Sequence, residues 1–131
     1  MTVRRSLINQ PMSAPAPSII DPEAIENLRS LGDEGDDTFL REIISIYLED
    51  VPLRLADLKQ ARAAGDRAFY TRSAHTIKGS SSNVGAVEVR ALAENLEHRS
   101  RAEAIESLDA LSGELEAAFQ RARAALLPLL G

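Results

Sequence analysis

The chain carries Ala74-His75-Thr76-Ile77-Lys78-Gly79-Ser80-Ser81 within a segment whose apolar residues recur every three or four positions. On a helical wheel of about 100° per residue, with His75 at zero, Lys78 falls at about −60° and Gly79 at about +40°. The apolar residues of this segment lie about 180 to 260° away from His75; they are Tyr70, Ala74, Ile77 and Val84. The stretch therefore predicts a helix that buries one stripe and presents His75 near the middle of the opposite stripe.

The exposed face of this helix has chemistry suited to holding a phosphoryl group. An exposed imidazole is largely neutral at pH 7 and can act as a nucleophile. Lys78, one turn further on, can pair with phosphate oxygens as a point charge. Gly79 costs a helix ~1 kcal/mol relative to alanine, which indicates that a partner needs the space beside His75. Three further residues share this face and are candidate partner contacts: Thr71, Arg72 and Ser82. For the histidine and lysine alone, an ordinary solvated face is the competing interpretation, and the glycine favours the functional one.

The stretch Ala74–Ser81, followed by Asn83-Val84-Gly85-Ala86, resembles the phosphoacceptor helix of histidine phosphotransfer (HPt) domains, the relay modules of two-component signalling. The resemblance extends from about Ile20 to Leu127. It implies that His75, through Nε2, takes a phosphoryl group from an aspartyl phosphate on a response-regulator receiver domain and passes it to another. It also implies that Lys78 steadies the phosphoryl group and that Gly79 admits the receiver.

The same resemblance implies a division of labour between the chain and its partners. The receiver supplies the acidic pocket and the Mg²⁺, so no cofactor or metal is expected on this chain. A hybrid sensor kinase is a further expected partner. The chain would then be a covalent phosphocarrier without an ATP-binding site, and not a self-sufficient enzyme. Exposed apolar residues near His75 would dock the receiver.

The amphipathic pattern predicts an all-α fold, namely an antiparallel up-down four-helix bundle with a short N-terminal capping helix. Residues 1–19 are rich in proline and serine, which predicts a flexible tail, and residues 20–131 would form the bundle domain. The capping helix would begin at Asp21 and Pro22 and end at Gly32.

Local signals set the expected limits of the four long helices. Asp36 or Asp37 can cap the second helix, in which Pro52 is expected to remove a hydrogen bond and bend the axis. Gly65 would end that helix and Asp66 would open the third. The turn is expected at residues 83–85, the fourth helix from about Ala86, and the last helix from about Ile105 until Pro128 stops it.

A hairpin of the third and fourth helices would place His75 level with roughly residues 94 to 97. Glu97 lies there on an edge that could meet the third helix, where it could fix the tautomer of the imidazole. The resemblance agrees, because a Gln or Glu at this offset often supports the phosphoacceptor histidine. An ordinary surface glutamate is the open alternative. His98 lies opposite the core stripe of its helix and is expected to be an exposed structural residue.

Composition excludes several other classes of function. A net charge of −5 argues against nucleic acid as the main partner. The absence of cysteine removes thiolate sites, and two histidines make a metal cluster held by protein alone improbable. No apolar run approaches ~20 residues, so no membrane span is expected. A cytoplasmic monomer is the default expectation.

Two other classes of protein remain open at this stage. The dimerisation and phosphoacceptor domain of a sensor kinase also presents a histidine on a helix, but Thr76 replaces the acidic residue usual there. No Gly-rich nucleotide-binding stretch follows. A structural or inhibitory HPt-like bundle that binds receivers without phosphotransfer is the other alternative. The presence of His75, Lys78 and Gly79 argues weakly against it.

Overall fold

A computed structural model describes residues 19–131, and their architecture is all-α, as predicted. Within this range, five α-helices and two short 3₁₀ helices follow one another. They are α1 (Pro22–Leu31), α2 (Thr38–Ala64), α3 (Arg67–Val84), α4 (Val87–Ser100), the 3₁₀ helix Ile105–Leu108, α5 (Asp109–Leu126) and the 3₁₀ helix Leu127–Leu130. Within these residues the β-type pairing is limited to one isolated antiparallel bridge, between Ile20 and Ala86. Helices α2 to α5 form the four-helix bundle and α1 packs against α2 and α3. Apart from Ile19, the predicted tail lies outside the described residues.

The helix ends follow the local signals of the sequence. The side chain of Asp21 accepts a hydrogen bond from the Glu23 amide at the start of α1, with Pro22 in the first turn. Asp66 caps α3 by accepting from the Phe69 amide at 3.1 Å. Gly65 and Gly85, which end α2 and α3, adopt left-handed φ values of 69° and 71°. These conformations suit glycine because it carries no Cβ.

The start of α2 divides the capping role between two aspartates. Asp37 is the residue that precedes the helix, but its side chain makes no capping hydrogen bond. The carboxylate of Asp36 accepts instead from the Thr38 amide at 2.9 Å. The carboxylate of Asp37 accepts a hydrogen bond from the guanidinium of Arg29, and this ion pair connects the end of α1 with the start of α2.

Helix α2 follows the prediction in being a single element of 27 residues that contains Pro52 and is closed by Gly65, and the bend expected at Pro52 stays a prediction. One predicted helix boundary differs in the structure. The last helix does not begin at Ile105, because Ala104 is extended and residues Ile105–Leu108 form a 3₁₀ helix before α5. Ile105 and Leu108 are both buried, and side chains three residues apart align on one side of a 3₁₀ helix.

The core consists mainly of leucine, isoleucine and alanine, with three aromatic rings among them. Tyr47 of α2 stacks at a tilt on Phe119 of α5, with ring centroids 5.8 Å apart. Its hydroxyl shares a hydrogen bond of 2.8 Å with Ser81 of α3, and both residues are buried. Burial raises the pKa of Tyr47 to about 12, so the phenol stays protonated in this contact. This bond fixes the register of α2 against α3.

Among the helices of residues 19–131, none has both the length and the apolar character of a membrane span.

Candidate functional site around His75

Helix α3 holds His75 on its solvent side. On the opposite side of α3 from His75, Ala74 and Ile77 are fully buried. The helix therefore cannot rotate about its axis without exposing them. The side chain of His75 is 62% exposed. The predicted orientation of the helix is therefore the one observed, with the imidazole accessible to a large partner.

Glu97 of α4 lies against the inner edge of the imidazole. His75 Nδ1 and Glu97 Oε2 are 2.8 Å apart, and the side chain of Glu97 is only 6% exposed. An ionised carboxylate only accepts hydrogen bonds, so this contact requires the proton of a neutral imidazole to be on Nδ1. The lone pair is then on Nε2. The interpretation of Glu97 as an ordinary surface residue is therefore wrong, and its contact with His75 is present.

Two cations share the same carboxylate. Lys78 Nζ lies 2.7 Å from Glu97 Oε1 as an ion pair that is not aligned as a hydrogen bond. Arg101 Nη2 donates to Oε2 at 2.9 Å. Burial of Glu97 acts to raise its pKa, but the contacts with Lys78 and His75 outweigh burial and lower it below the usual value. The carboxylate is therefore ionised at neutral pH.

Arg101 was not among the residues expected from the sequence. It stands four residues after Glu97, at the end of α4, and this is the spacing at which two side chains meet on a helix. The spacing could have indicated it, but only once Glu97 had been recognised as buried.

Gly79 lies on an open part of the surface. A Cβ added to it would meet nothing within 4 Å, and it has no left-handed φ that would require glycine. Neither packing nor backbone geometry therefore explains a glycine inside α3. The region beside His75 is left without a side chain.

The three candidate partner contacts differ in their surroundings. Thr71 is half-buried and its hydroxyl shares a hydrogen bond of 2.7 Å with Ser100 of α4. Arg72 is exposed, with its guanidinium 5.6 Å from the centre of the Phe69 ring. Ser82 is exposed but stands two turns from His75, about 10 Å along the axis. Arg72 thus has the surroundings expected of a partner contact, Thr71 is engaged with α4, and Ser82 lies at the periphery.

A shallow depression of about 550 Å³ opens beside His75 between α3 and α4. It is lined by Arg67, Arg72 and Arg101 together with Thr71, His75 and Glu97. Arg67 donates to the main-chain carbonyls of Ser100 and Glu103, so its charge is held at the rim. The surface around the histidine is therefore basic, although the chain as a whole is acidic.

His98 is exposed on α4 and lines a second depression of about 420 Å³, on the side of Lys78. Its position on the solvent side of its helix agrees with the prediction. As for metals, the part of the chain from residue 19 onward contains no group of three or more His, Asp or Glu side chains that could hold an ion.

The Hpt domain family model matches residues 42–125 of this chain. The chain belongs to this family. The match begins within α2 and ends within α5, so it contains the whole of the Hpt domain site around His75, and it confirms the resemblance seen in the sequence.

Two curated proteins are similar to this Hpt domain over part of their length. Multistep phosphorelay regulator 1 of Schizosaccharomyces pombe is 28% identical over 80 residues, which are 61% of this chain and 27% of that protein. Histidine-containing phosphotransfer protein 2 of Arabidopsis thaliana is 32% identical over 68 residues, which are 50% of this chain and 44% of that protein. The chain thus spans less than half of the length of these relatives.

Solved structures extend the similarity to the fold of the Hpt domain. Histidine-containing phosphotransfer protein B of Pseudomonas aeruginosa PAO1 superposes with a TM-score of 0.75 at 26% identity, covering 84% of this chain and 92% of that one. The HPT domain of a sensor hybrid histidine kinase from Shewanella gives a TM-score of 0.69 at 17% identity, with coverages of 86% and 93%. The second likeness is one of fold alone.

Proposed function

We propose that this Hpt domain relays a phosphoryl group between His75 and the aspartates of response-regulator receiver domains. The observation that carries the proposal is the contact between His75 Nδ1 and the buried carboxylate of Glu97. When the imidazole is neutral, this contact keeps its proton on Nδ1 and leaves the lone pair on Nε2, which is the ring atom that a partner's phosphoryl group would meet.

The bonds and charges of this transfer balance without a proton donor or an external nucleophile. The Nε2 lone pair of His75 attacks phosphorus and forms the N–P bond. The P–O bond of the receiver's aspartyl phosphate breaks, and its electron pair returns to the aspartate as a carboxylate. The imidazole ring gains a positive charge, which Glu97 Oε2 stabilises across the Nδ1–H bond. The reverse sequence passes the group to a second receiver.

Positioning and electrostatics supply the rest of such a transfer. Lys78, within one helical turn, would stabilise the phosphoryl oxygens, and Gly79 would leave room for the receiver. The Mg²⁺ and the acidic pocket would come from the receiver, and the basic rim formed by Arg67, Arg72 and Arg101 complements such a pocket. The chain would act as a covalent carrier that needs no ATP-binding or metal site of its own.

Two exposed apolar residues of α2 are the proposed docking contacts for the receiver. Leu53 is 61% exposed and Ile46 is 56% exposed. The Tyr47–Ser81 hydrogen bond gives the register of the antiparallel helices α2 and α3. Leu53 lies six residues after Tyr47 and His75 lies six residues before Ser81, so Leu53 and His75 are at the same height along the bundle axis. Burial of the apolar side chain of Leu53 by a receiver would add binding free energy to that of the charged contacts.

The flank of α2 on which these residues stand follows from its other contacts. Lys59 and Arg62 pair with Glu116 and Asp109 of α5. On the wheel, Leu53 lies about 120° to one side of Tyr47, whereas Lys59 and Arg62 lie about 60 to 120° to the other side. Leu53 therefore stands on the flank of α3 and not on the flank of α5.

Partners and setting complete the proposal. Receiver domains, one of them carried by a hybrid sensor kinase, are the proposed partners, and the domain would work as a cytoplasmic monomer. A bundle that only binds receivers would need neither an exposed imidazole nor a buried carboxylate beneath it. The kinase dimerisation domain is disfavoured because a single chain here completes its own four-helix bundle.

The experiment is labelling by a phosphorylated receiver. Wild-type protein should acquire an acid-labile, alkali-stable phosphoryl group, and His75→Gln should lose it while its helical circular-dichroism spectrum is unchanged. His98→Gln, the matched control on α4, should label normally. Normal labelling of His75→Gln would reject the assignment, and loss in His98→Gln alone would transfer the role to that residue.

A further inference from the structure

The carboxylate of Glu97 has more cationic partners than the relay reaction itself requires. We propose that Arg101 is a positioning residue, which keeps Glu97 paired while Lys78 leaves it for the phosphoryl group. This inference rests on the proposed relay function and concerns the same site. It adds a residue that neither the motif nor the family match assigns.

The contacts of Glu97 divide between its two oxygens. Oε1 has only the ammonium of Lys78 near it among the contacts of the described residues, at 2.7 Å and without hydrogen-bond alignment. Oε2 accepts aligned hydrogen bonds from His75 Nδ1 at 2.8 Å and from Arg101 Nη2 at 2.9 Å. The poorly aligned partner is the one that can leave most easily.

Burial makes the departure of Lys78 costly unless another cation stays. The side chain of Glu97 is 6% exposed, so water cannot replace a lost partner as it would on the surface. Breaking a buried ion pair leaves an uncompensated charge, which is strongly unfavourable. Arg101 limits this cost, because its charged guanidinium donates through Nη2 to Oε2 at 2.9 Å from the end of the same helix and stays when Lys78 leaves.

Phosphorylation changes the balance of charge on the two sides of the imidazole. Nε2 gains a phosphoryl group with nearly two negative charges, whereas Nδ1 and Glu97 remain on the inner side. Before transfer, Glu97 is shared by Lys78 and Arg101. After transfer, Lys78 can pair with the phosphoryl oxygens while Arg101 continues to pair with Glu97. The phosphoryl oxygens are then paired with Lys78, whereas Glu97 keeps Arg101 and the positively charged ring, and no proton is exchanged with Glu97.

A different role for Arg101 is direct contact with the receiver, since 61% of its side chain is exposed. Phosphoryl donors of different size distinguish positioning of Glu97 from contact with the receiver. Phosphoramidate, a small donor that releases ammonia when Nε2 attacks its phosphorus, needs no docking surface. A phosphorylated receiver needs both docking and chemistry.

The test measures single-turnover phosphorylation of His75 by both donors, in wild type and in variants whose melting temperature is checked. Arg101→Ala should be slowed about three- to tenfold with both donors, and Arg101→Lys should recover most of the rate. Arg99→Ala is the matched control, because Arg99 at the end of α4 also pairs with a glutamate four residues away, Glu103, and this variant should react like wild type. In a Glu97→Gln background, Arg101→Ala should cause no further loss.

A second readout distinguishes positioning from a merely structural role. The carboxyl of Glu97 can be titrated by ¹³C NMR before and after phosphorylation. Its pKa should rise on phosphorylation much more in Arg101→Ala than in wild type, because Lys78 has left and no guanidinium remains beside the carboxylate.

Three results would overturn the inference. They are a normal rate in Arg101→Ala, a defect seen only with the receiver, and an equal defect in the Glu97→Gln background. The second would assign Arg101 to docking. If wild-type protein is labelled by neither donor, the relay function itself is rejected, and this outcome is distinct from the other three.

Discussion

A single buried carboxylate, that of Glu97, organises the residues around His75. It contacts Nδ1 of the imidazole and two cations, while its own side chain is almost inaccessible to water. Because its pKa is lowered in the folded protein, folding favours the ionised form. The free energy of unfolding should therefore carry a signature of this one residue.

Replacing Glu97 by glutamine should change how stability depends on pH. A lowered pKa gives stability that is complete above the usual value of 4.5 and is lost as pH falls through the folded value. The difference in unfolding free energy between wild type and Glu97→Gln should thus be constant near pH 7 and shrink below 4.5. Urea unfolding at a series of pH values measures this difference.

Glu94→Gln supplies the control for this measurement. Glu94 lies on the exposed side of α4 and pairs with Arg90, and exposed ion pairs contribute only about 0 to 1 kcal/mol. Its replacement should change stability little. A difference for Glu97→Gln that is independent of pH would show that folding gains nothing from ionising this carboxyl.

At the scale of the elements, the turn between α3 and α4 decides where α1 packs. Gly85 has a left-handed φ of 71°, and its carbonyl accepts a hydrogen bond from the Asp21 amide at 2.8 Å. A Cβ at Gly85 would lie 2.7 Å from the Cβ of Ala24 and 3.0 Å from the carbonyl oxygen of Asp21. The absence of a side chain therefore allows α1 to lie directly on this turn.

Gly85→Ala should destabilise the domain by about 2 to 4 kcal/mol, because backbone strain and displacement of α1 add together. Gly65→Ala is the matched variant, since Gly65 has nearly the same φ of 69° but nothing within 4 Å of an added Cβ. It should cost only about 1 to 2 kcal/mol of strain. Thermal unfolding of both variants gives the comparison. Equal losses would mean that α1 does not press against the turn.

The helices and their ends could be predicted because their causes are local. Asp21, Asp66 and Gly65 each act within a few residues of their own position. The 3₁₀ segment before α5 could not, because its apolar spacing continues the pattern of the helix that follows it. At the site, the face of His75 and its contact with Glu97 could be expected from the sequence, but Lys78 and Arg101 as partners of Glu97 were not expected. The pairing of Arg101 with Glu97 is local, whereas the burial of that carboxylate against α3 is a property of the assembled hairpin.

At the scale of the whole molecule, charge and apolar surface are distributed unevenly. The chain has a net charge of −5, but three arginines surround the depression at His75. Leu53 and Ile46 expose apolar side chains on the neighbouring helix. A partner with an acidic rim and an apolar patch would match both features on one side of the bundle.

Leu53→Asp should weaken binding of a receiver by about tenfold, because it replaces apolar area with a charge of the same sign as the expected partner. Labelling by phosphoramidate should be unaffected, since the small donor does not use this surface. Leu31→Asp is the control, as Leu31 is 72% exposed but stands at the end of α1. Calorimetric titration measures the affinities. Equal losses in both variants would remove Leu53 from the interface.

If His75 carries the phosphoryl group as proposed, its exposure bears on how long the group can stay there. With 62% of the side chain in contact with solvent, water as well as a receiver would have access to a phosphoryl group on Nε2. Hydrolysis of the N–P bond would then compete with delivery. The persistence of such a signal would depend on how soon a receiver arrives after the bond has formed.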